Sequence, residues 1–248
     1  MILAIDAGNS RVKWGWYDST LHGVGGWSSI ANVSLIEFAA SSDHINPFSA
    51  THADPSRIII SNVAGEGAQQ LIVNWTSIFD AAPEWVRGER ERCGVSSRYA
   101  NPEALGPDRW AALIAARALE PKRACLVVNA GTCTTVDALN TQGEFTGGLI
   151  LPGIDLMRFV LHEHTGRLPL QEGRFVAEPR NTVDAIETGC RHAQAGAVER
   201  MFRAMTQGSA CLVSGGGGPA LMDRLDLPCR YVENLVLEGL ARIGVSQT

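Results

Sequence analysis

Residues 2–5 (ILAI) form an unbroken aliphatic run that ends at Asp6, and after Ala-Gly-Asn-Ser the chain is apolar again over residues 12–17. Short runs of β-branched and aliphatic residues read as buried strands. Gly8 and Asn9 are the residue types that most readily take a positive φ, so the pattern predicts strand, tight acidic turn, strand. The alternation continues along the chain. Residues 57–63 (RIIISNV) predict a buried strand and residues 69–79 (QQLIVNWTSIF) the helix after it. Residues 107–119 (PDRWAALIAARAL) predict an Ala/Leu-rich helix with Pro in its first position. Between them, residues 87–92 are a run of mixed charge and predict a solvated loop. Strand and helix signals alternating over the whole length point to an α/β protein.

The opening pattern occurs twice. AIDAGNSRV and VVNAGTCTT align without a gap, which sets Asp6 against Asn129, Ala7 against Ala130, Gly8 against Gly131, Asn9 against Thr132 and Ser10 against Cys133. After the second turn, Gly143 and residues 145–151 extend the hairpin to a three-strand meander, and residues 23–27 allow the same in the first half. One unit used twice predicts two related lobes, residues 1–116 and 117–248, with a boundary near Ala116. A third turn, SGGGG, follows the apolar residues 211–213 and precedes a helical pattern. Such a turn carries no side chains to hinder a ligand, and the helix start adds its dipole. None of the three loops fits GxxxxGK[ST] or GxGxxG, which disfavours a P-loop or a dinucleotide fold.

Composition narrows the classes further. With 248 residues, 45% hydrophobic and 19% charged, the chain has enough apolar sequence for one large domain or two cored lobes. A formal net charge of −5 argues against nucleic acid or an anionic membrane as partner. No basic leader precedes the first apolar run, and no stretch has the roughly 18 apolar residues of a membrane helix, so the expected location is cytoplasmic. The six cysteines show no CxxC pair and no zinc spacing; Cys125, Cys211 and Cys229 stand in apolar contexts and read as core residues. His162 and His164 are two apart, a spacing that does not share a helix face, and read as surface or supporting residues rather than metal ligands.

Two turns of the form (D/N)AG(N/T)(S/C), one per lobe, would clamp a polyphosphate between them. Asp6 would hold Mg²⁺ directly or through water, Ser10, Thr132 and Thr134 would donate hydrogen bonds, and SGGGG would lie along the nucleoside. DAGNS, NAGTCTT and SGGGG, in that order, resemble the actin-like ATPase superfamily, which includes actin and the sugar and acetate kinases. Together with RYANPEALGPDRW, FTGGLILPGIDLM, HTGRLP and NTVDAIETG, almost the whole chain is similar to the type III pantothenate kinases.

That resemblance implies two duplicated, ribonuclease H-like lobes around a cleft. It also implies ATP-dependent phosphorylation of pantothenate to 4'-phosphopantothenate, the first step of coenzyme A synthesis, in a homodimer whose second subunit helps build the substrate pocket. Asp6, Ala7, Gly8, Asn9, Ser10, Arg11, Val12 and Lys13 match the first phosphate turn, and Gly131 and Thr132 the second. Tyr99, Gly106, Pro107, Asp108, Arg109 and Thr182 match the substrate pocket, with Asp108 on the catalytic base. An Asp in the first turn of a helix also favours the helix dipole without any catalytic role. Arg109 would steer either the substrate's carboxylate or the transferring phosphoryl group. Asn129 departs from the family, whose members commonly carry Asp there at a K⁺ or NH₄⁺ site that supports ATP binding. Two other readings compete: a non-catalytic regulatory protein on the same fold, and a kinase of the same superfamily acting on another small substrate.

Overall fold

The computed structural model describes residues 1–18, 20, 26–40 and 54–246. It divides into two compact units, one of Met1–Pro121, Gly143–Phe145 and Asn234–Thr248, the other of Lys122–Gln142 and Thr146–Glu233. Ala116, where the sequence pattern places a boundary, lies inside a helix of the first unit, and a C-terminal helix belongs to that unit as well.

In the first unit, β1 (Ile2–Ala7), β2 (Arg11–Tyr17) and β3 (Trp27–Ser34) form an antiparallel meander. Residues 21–25 of its second connection lie outside the described residues. A short helix, α1 (Leu35–Ala40), follows. Then β4 (Arg57–Asn62) pairs parallel with β1, α2 (Glu66–Thr76) comes next, and β5 (Pro83–Trp85) pairs parallel with β4. The strand order is β3-β2-β1-β4-β5. Leu3, Ile5, Ile58 and Ile60 pack with Phe38, Ile72 and Trp75 of α1 and α2. Ile2 and Ile59 meet α7 (Leu235–Val245), where a Cβ on Gly244 would come within 2.9 Å of Ile2 and 3.1 Å of Ile59. A helix can approach so closely only where it carries glycine. The same holds at Gly239, whose Cβ would lie 1.8 Å from the Ala111 carbonyl of α3 (Pro107–Leu119). Helix α3 has the bounds its pattern predicts, because Pro107 starts it and eight consecutive residues from Arg109 to Ala116 are buried.

Two local readings are corrected. Helix α2 starts three residues earlier than expected, at Glu66, and ends before Phe79. The charge run is not simply solvated: Glu91 and Arg92 form β6 against β7 (Val95–Ser97), and Arg92, with 16% of its side chain exposed, pairs with Glu84 at 2.6 Å and Glu89 at 2.9 Å.

In the second unit, β8 (Cys125–Ala130), β9 (Cys133–Leu139) and β10 (Glu144–Pro152) repeat the meander, and β11 (Ala210–Ser214) pairs parallel with β8 as β4 does with β1. Beyond β11 runs β12 (Arg230–Tyr231), so β10-β9-β8-β11-β12 reproduces the order of the first sheet. Leu126, Val128 and Val213 pack against Ala195 and Val198 of α5 (Thr182–Arg203) and Leu221 of α6 (Gly218–Met222). Helix α4 (Ile154–Glu163) follows β10. The described cysteines are all free; Cys125 and Cys211 are buried as expected, and Cys229 is half-buried at the edge of this core.

The duplication is not gap-free. Ala7 pairs with Val12 and Asp6 with Lys13, whereas Ala130 pairs with Thr134 and Asn129 with Thr135. The second turn is therefore one residue tighter. Thr134, not Thr135, stands in the place of Val12.

Candidate active site

In the first unit the acidic turn is closed by the Gly8 N–H donating to the Arg11 carbonyl at 2.9 Å. Ala7 and Val12 are fully buried in the core, which leaves only their backbone for a ligand. Asn9 and Ser10 are exposed at the tip, and Arg11 donates through Nε to Asn32 Oδ1 at 2.9 Å. Asp6, at the end of β1, lies with Oδ1 buried and without a hydrogen-bond partner. Burial, and next the nearby Asp108 carboxylate, push its pKa up to about 7, against the opposing pull of Lys13 and the Ser61 hydroxyl.

Asp108 occupies the first turn of α3, and its Oδ1 accepts the Arg109 N–H at 2.8 Å. Burial raises its pKa too, while that N–H and the Arg109 guanidinium pull the other way. Arg109 is itself only 6% exposed. Its guanidinium lies 6.0 Å from the Tyr99 ring centroid and 5.7 Å from that of Phe145, within cation–π range. Nη1 also approaches the Tyr99 hydroxyl at 3.4 Å. The rings of Tyr99 and Phe145 stand 5.0 Å apart. Phe145 reaches this group because the start of β10 pairs with β7, Phe145 opposite Ser97. The first unit thus brings Asp6, Asp108, Arg109 and Tyr99 into one neighbourhood. Phe145 and Ser61 join them unannounced. The signal for Ser61 was a polar residue ending the run III at the same depth as Asp6.

In the second unit the Gly131 N–H donates to the Cys133 carbonyl at 3.0 Å, leaving Gly131 and Thr132 exposed at the tip. Thr134 is buried in β9, with 2% exposure. Two glycines close over this turn. A Cβ on Gly153, just before α4, would lie 2.2 Å from the Gly131 carbonyl, and the Gly153 N–H donates to Thr132 O at 2.8 Å. Gly215 has φ +90°, and its Cβ would lie 2.3 Å from Ala130 O and 2.7 Å from Asn129 Oδ1. Within the glycine-rich loop, the Gly217 N–H also donates to Ala130 O at 3.0 Å. The loop is therefore built onto the second turn.

Thr182 is exposed at the first turn of α5, capped by Asn181, whose Oδ1 accepts the Asp184 N–H at 2.8 Å. The rest of NTVDAIETG holds the segment before it. Asp184 accepts the Arg174 N–H at 2.8 Å, a bond that, with the Asn181 amide, keeps its carboxyl below the usual range. Glu187, 1% exposed, pairs with Arg158 at 2.9 Å and Arg191 at 2.6 Å. His162 Nδ1 meets the Leu168 carbonyl at 2.8 Å, a supporting contact.

Two neighbouring carboxylates with an orphaned buried oxygen are a poor arrangement for an apoprotein and a good one for a hard divalent cation. Among the described residues no cluster of three His, Cys, Asp or Glu side chains could hold a metal.

A family model described as type III pantothenate kinase matches residues 2–204. A type III pantothenate kinase of Aromatoleum aromaticum is 51% identical, covering 98% of both chains. One of Nitrosospira multiformis is 42% identical, covering 98% of this chain and 91% of that one. Among solved structures, a chain from Campylobacter jejuni named for the Baf family of transcriptional activators shares the fold at TM-score 0.62 and 20% identity, covering 97% of this chain and 96% of its own. Component A of the (R)-2-hydroxyglutaryl-CoA dehydratase of Acidaminococcus fermentans shares it at TM-score 0.55 and 11% identity, covering 98% and 96%. The fold is the two-lobed α/β architecture of the actin-like ATPases and sugar kinases. No helix among the described residues is long and apolar enough to cross a membrane.

Proposed function

This chain belongs to the type III pantothenate kinase family, and on that premise we propose how its residues share the work of moving a phosphoryl group from ATP to pantothenate, the first step of coenzyme A synthesis. The observation that carries the reading is the proximity of Asp6 and Asp108 with both carboxyls shifted upward. Asp108 is the base. It orients the pantothenate hydroxyl and takes its proton late, because a loose phosphoryl-transfer transition state asks chiefly for positioning and charge stabilisation. A raised pKa suits that work, since a base is most effective when its pKa lies near the working pH.

Asp6 would hold Mg²⁺, which would neutralise phosphate charge, and the backbone and hydroxyls of residues 8–10 and 131–132 would hold the phosphates. The Gly215–Gly217 backbone lies along the nucleoside. Arg109, kept in place by Tyr99 and Phe145, presents a fixed cation to the pantothenate carboxylate. Thr182, exposed at a helix start, donates to the same substrate. Leu149, Ile150, Phe159, Val160 and Leu170 are exposed apolar residues of the second unit, a surface that a second copy would cover in a homodimer. A monovalent cation at Asn129 finds only a neutral oxygen. The net charge of −5 speaks against nucleic acid or an anionic membrane as partner. Retention of Asp6, Asp108 and Thr182 favours catalysis over a purely regulatory role. An ATP-coupled assay with pantothenate beside several sugars and acetate tests the whole reading; turnover of a sugar but not of pantothenate would overturn it.

A further inference from the structure

Ser61 is 0% exposed at the end of β4, and its Oγ has no hydrogen-bond partner. A buried hydroxyl left unpaired costs stability, and native structures rarely keep one without a reason. The register supplies the reason. β1 and β4 run parallel with Asp6 directly opposite Ser61, so both side chains project from the same face of the sheet. Asp6 Oδ1, buried as well, is the second orphan of the pair. On the opposite side of Asp6, its antiparallel neighbour is Lys13, and Asp108 is its like-charged neighbour. Among these groups Ser61 is the hydroxyl donor within the sheet, on a strand with almost no freedom to move, between Ile60 at 0% exposure and Asn62.

We propose that Ser61 is a positioning residue whose hydroxyl donates to the Asp6 carboxylate and fixes the orientation in which Asp6 meets a nucleotide-bound divalent cation. Standing opposite each other on β4 and β1, the hydroxyl and the carboxylate are the donor and acceptor of that bond. The inference rests on the reading of Asp6 as the Mg²⁺-binding carboxylate.

Binding of ADP, followed by calorimetry in Mg²⁺ and again in EDTA, tests it apart from turnover. Ser61→Ala is expected to weaken ADP about tenfold in Mg²⁺, the loss for one hydrogen bond to a charged group, and to leave affinity in EDTA and the KM for pantothenate unchanged. Ser61→Thr, which keeps the hydroxyl, restores the Mg²⁺-dependent affinity; Ser61→Cys, which keeps the volume with only a weak donor, does not. Equal ADP affinity of Ser61→Ala and parent in Mg²⁺, an equal loss in EDTA, or a loss in Ser61→Thr as large as in Ser61→Ala overturns the proposal. Asp6→Asn run alongside separates the two levels. If it too leaves Mg²⁺-dependent binding unchanged, the reading of Asp6 fails; if it abolishes that dependence while Ser61→Ala does not, only the role of Ser61 fails.

Discussion

The hairpin of β1 and β2 and the hairpin of β8 and β9 stand at the same place in two sheets of the same strand order, yet the residues ending their first strands have opposite surroundings. Asp6 is an acid with a buried Oδ1 and a second carboxylate nearby. Asn129 is neutral, and its Oδ1 lies against the backbone of Gly215. At the first turn, burial and a like charge both work against the ionised carboxylate. The second is closed over by glycine backbone and ends its first strand on a neutral amide. A duplicated backbone has thus been divided into an electrostatic half and a steric half, and the tightening of the second turn by one residue belongs to that division.

Removing the charge partner of the first hairpin gives the largest effect. Asp108→Asn folds and still binds ATP but loses roughly 10²–10⁴ of kcat, the contribution of a general base. An unchanged kcat in steady-state assays would reduce Asp108 to a helix-dipole residue.

Asp6→Asn makes the first hairpin resemble the second and is read as stability against pH without ligand. An Asp whose pKa rises from 3.8 to about 7 on folding binds more protons folded than unfolded between those values, so the parent loses stability as pH rises from 4 to 7. The variant lacks that slope. It is expected to exceed the parent at pH 8 by about 2–4 kcal/mol and to match it near pH 3.5 in urea titrations. A parent whose stability does not fall over that interval would remove the charge strain from the comparison.

Gly215→Ala attacks the steric half. A side chain at φ +90° with its Cβ 2.3 Å from Ala130 O forces the loop off the second turn, at about 2 kcal/mol for the backbone conformation alone. The KM for ATP is expected to rise with little change for pantothenate; a rise for pantothenate only would detach this loop from the nucleotide.

The smallest effect belongs to Asn129→Asp, which gives the second hairpin the charge of the first. A carboxylate attracts K⁺ more strongly than a neutral amide oxygen, so a shallow K⁺ activation is expected to steepen by a few-fold at constant ionic strength. Tight, saturable activation of the parent, unimproved in the variant, would show that charge at 129 does not set cation affinity.

Elements whose signals are local were legible without the structure. Pro107 and the Ala/Leu pattern bound α3, and Asp-Ala-Gly marks the first turn as Asn-Ala-Gly marks the second. The register offset was hidden because the two sequences align without a gap although the strands do not. Phe145 was invisible as a site residue, since only the pairing of β10 with β7 carries it to Arg109. Ser61 and Arg92 were missed for a related reason: a serine after three isoleucines reads as a strand end, and a charge run reads as solvated, until neighbouring strands bring Asp6 to one and Glu84 to the other.

Helix α7 also has a meaning for the order in which the protein is made. Strand β1 leaves the ribosome before the whole second unit, while the helix whose Gly244 seats on Ile2 is made after it. At about 5–20 residues per second, β1 and β4 wait on the order of ten seconds with Ile2 and Ile59 uncovered. The second unit, contiguous but for three residues, can complete its core first. Maturation then runs from the inside of the chain outward, and a nascent protein stalled before Leu235 exposes the apolar face that marks it for chaperones or proteolysis.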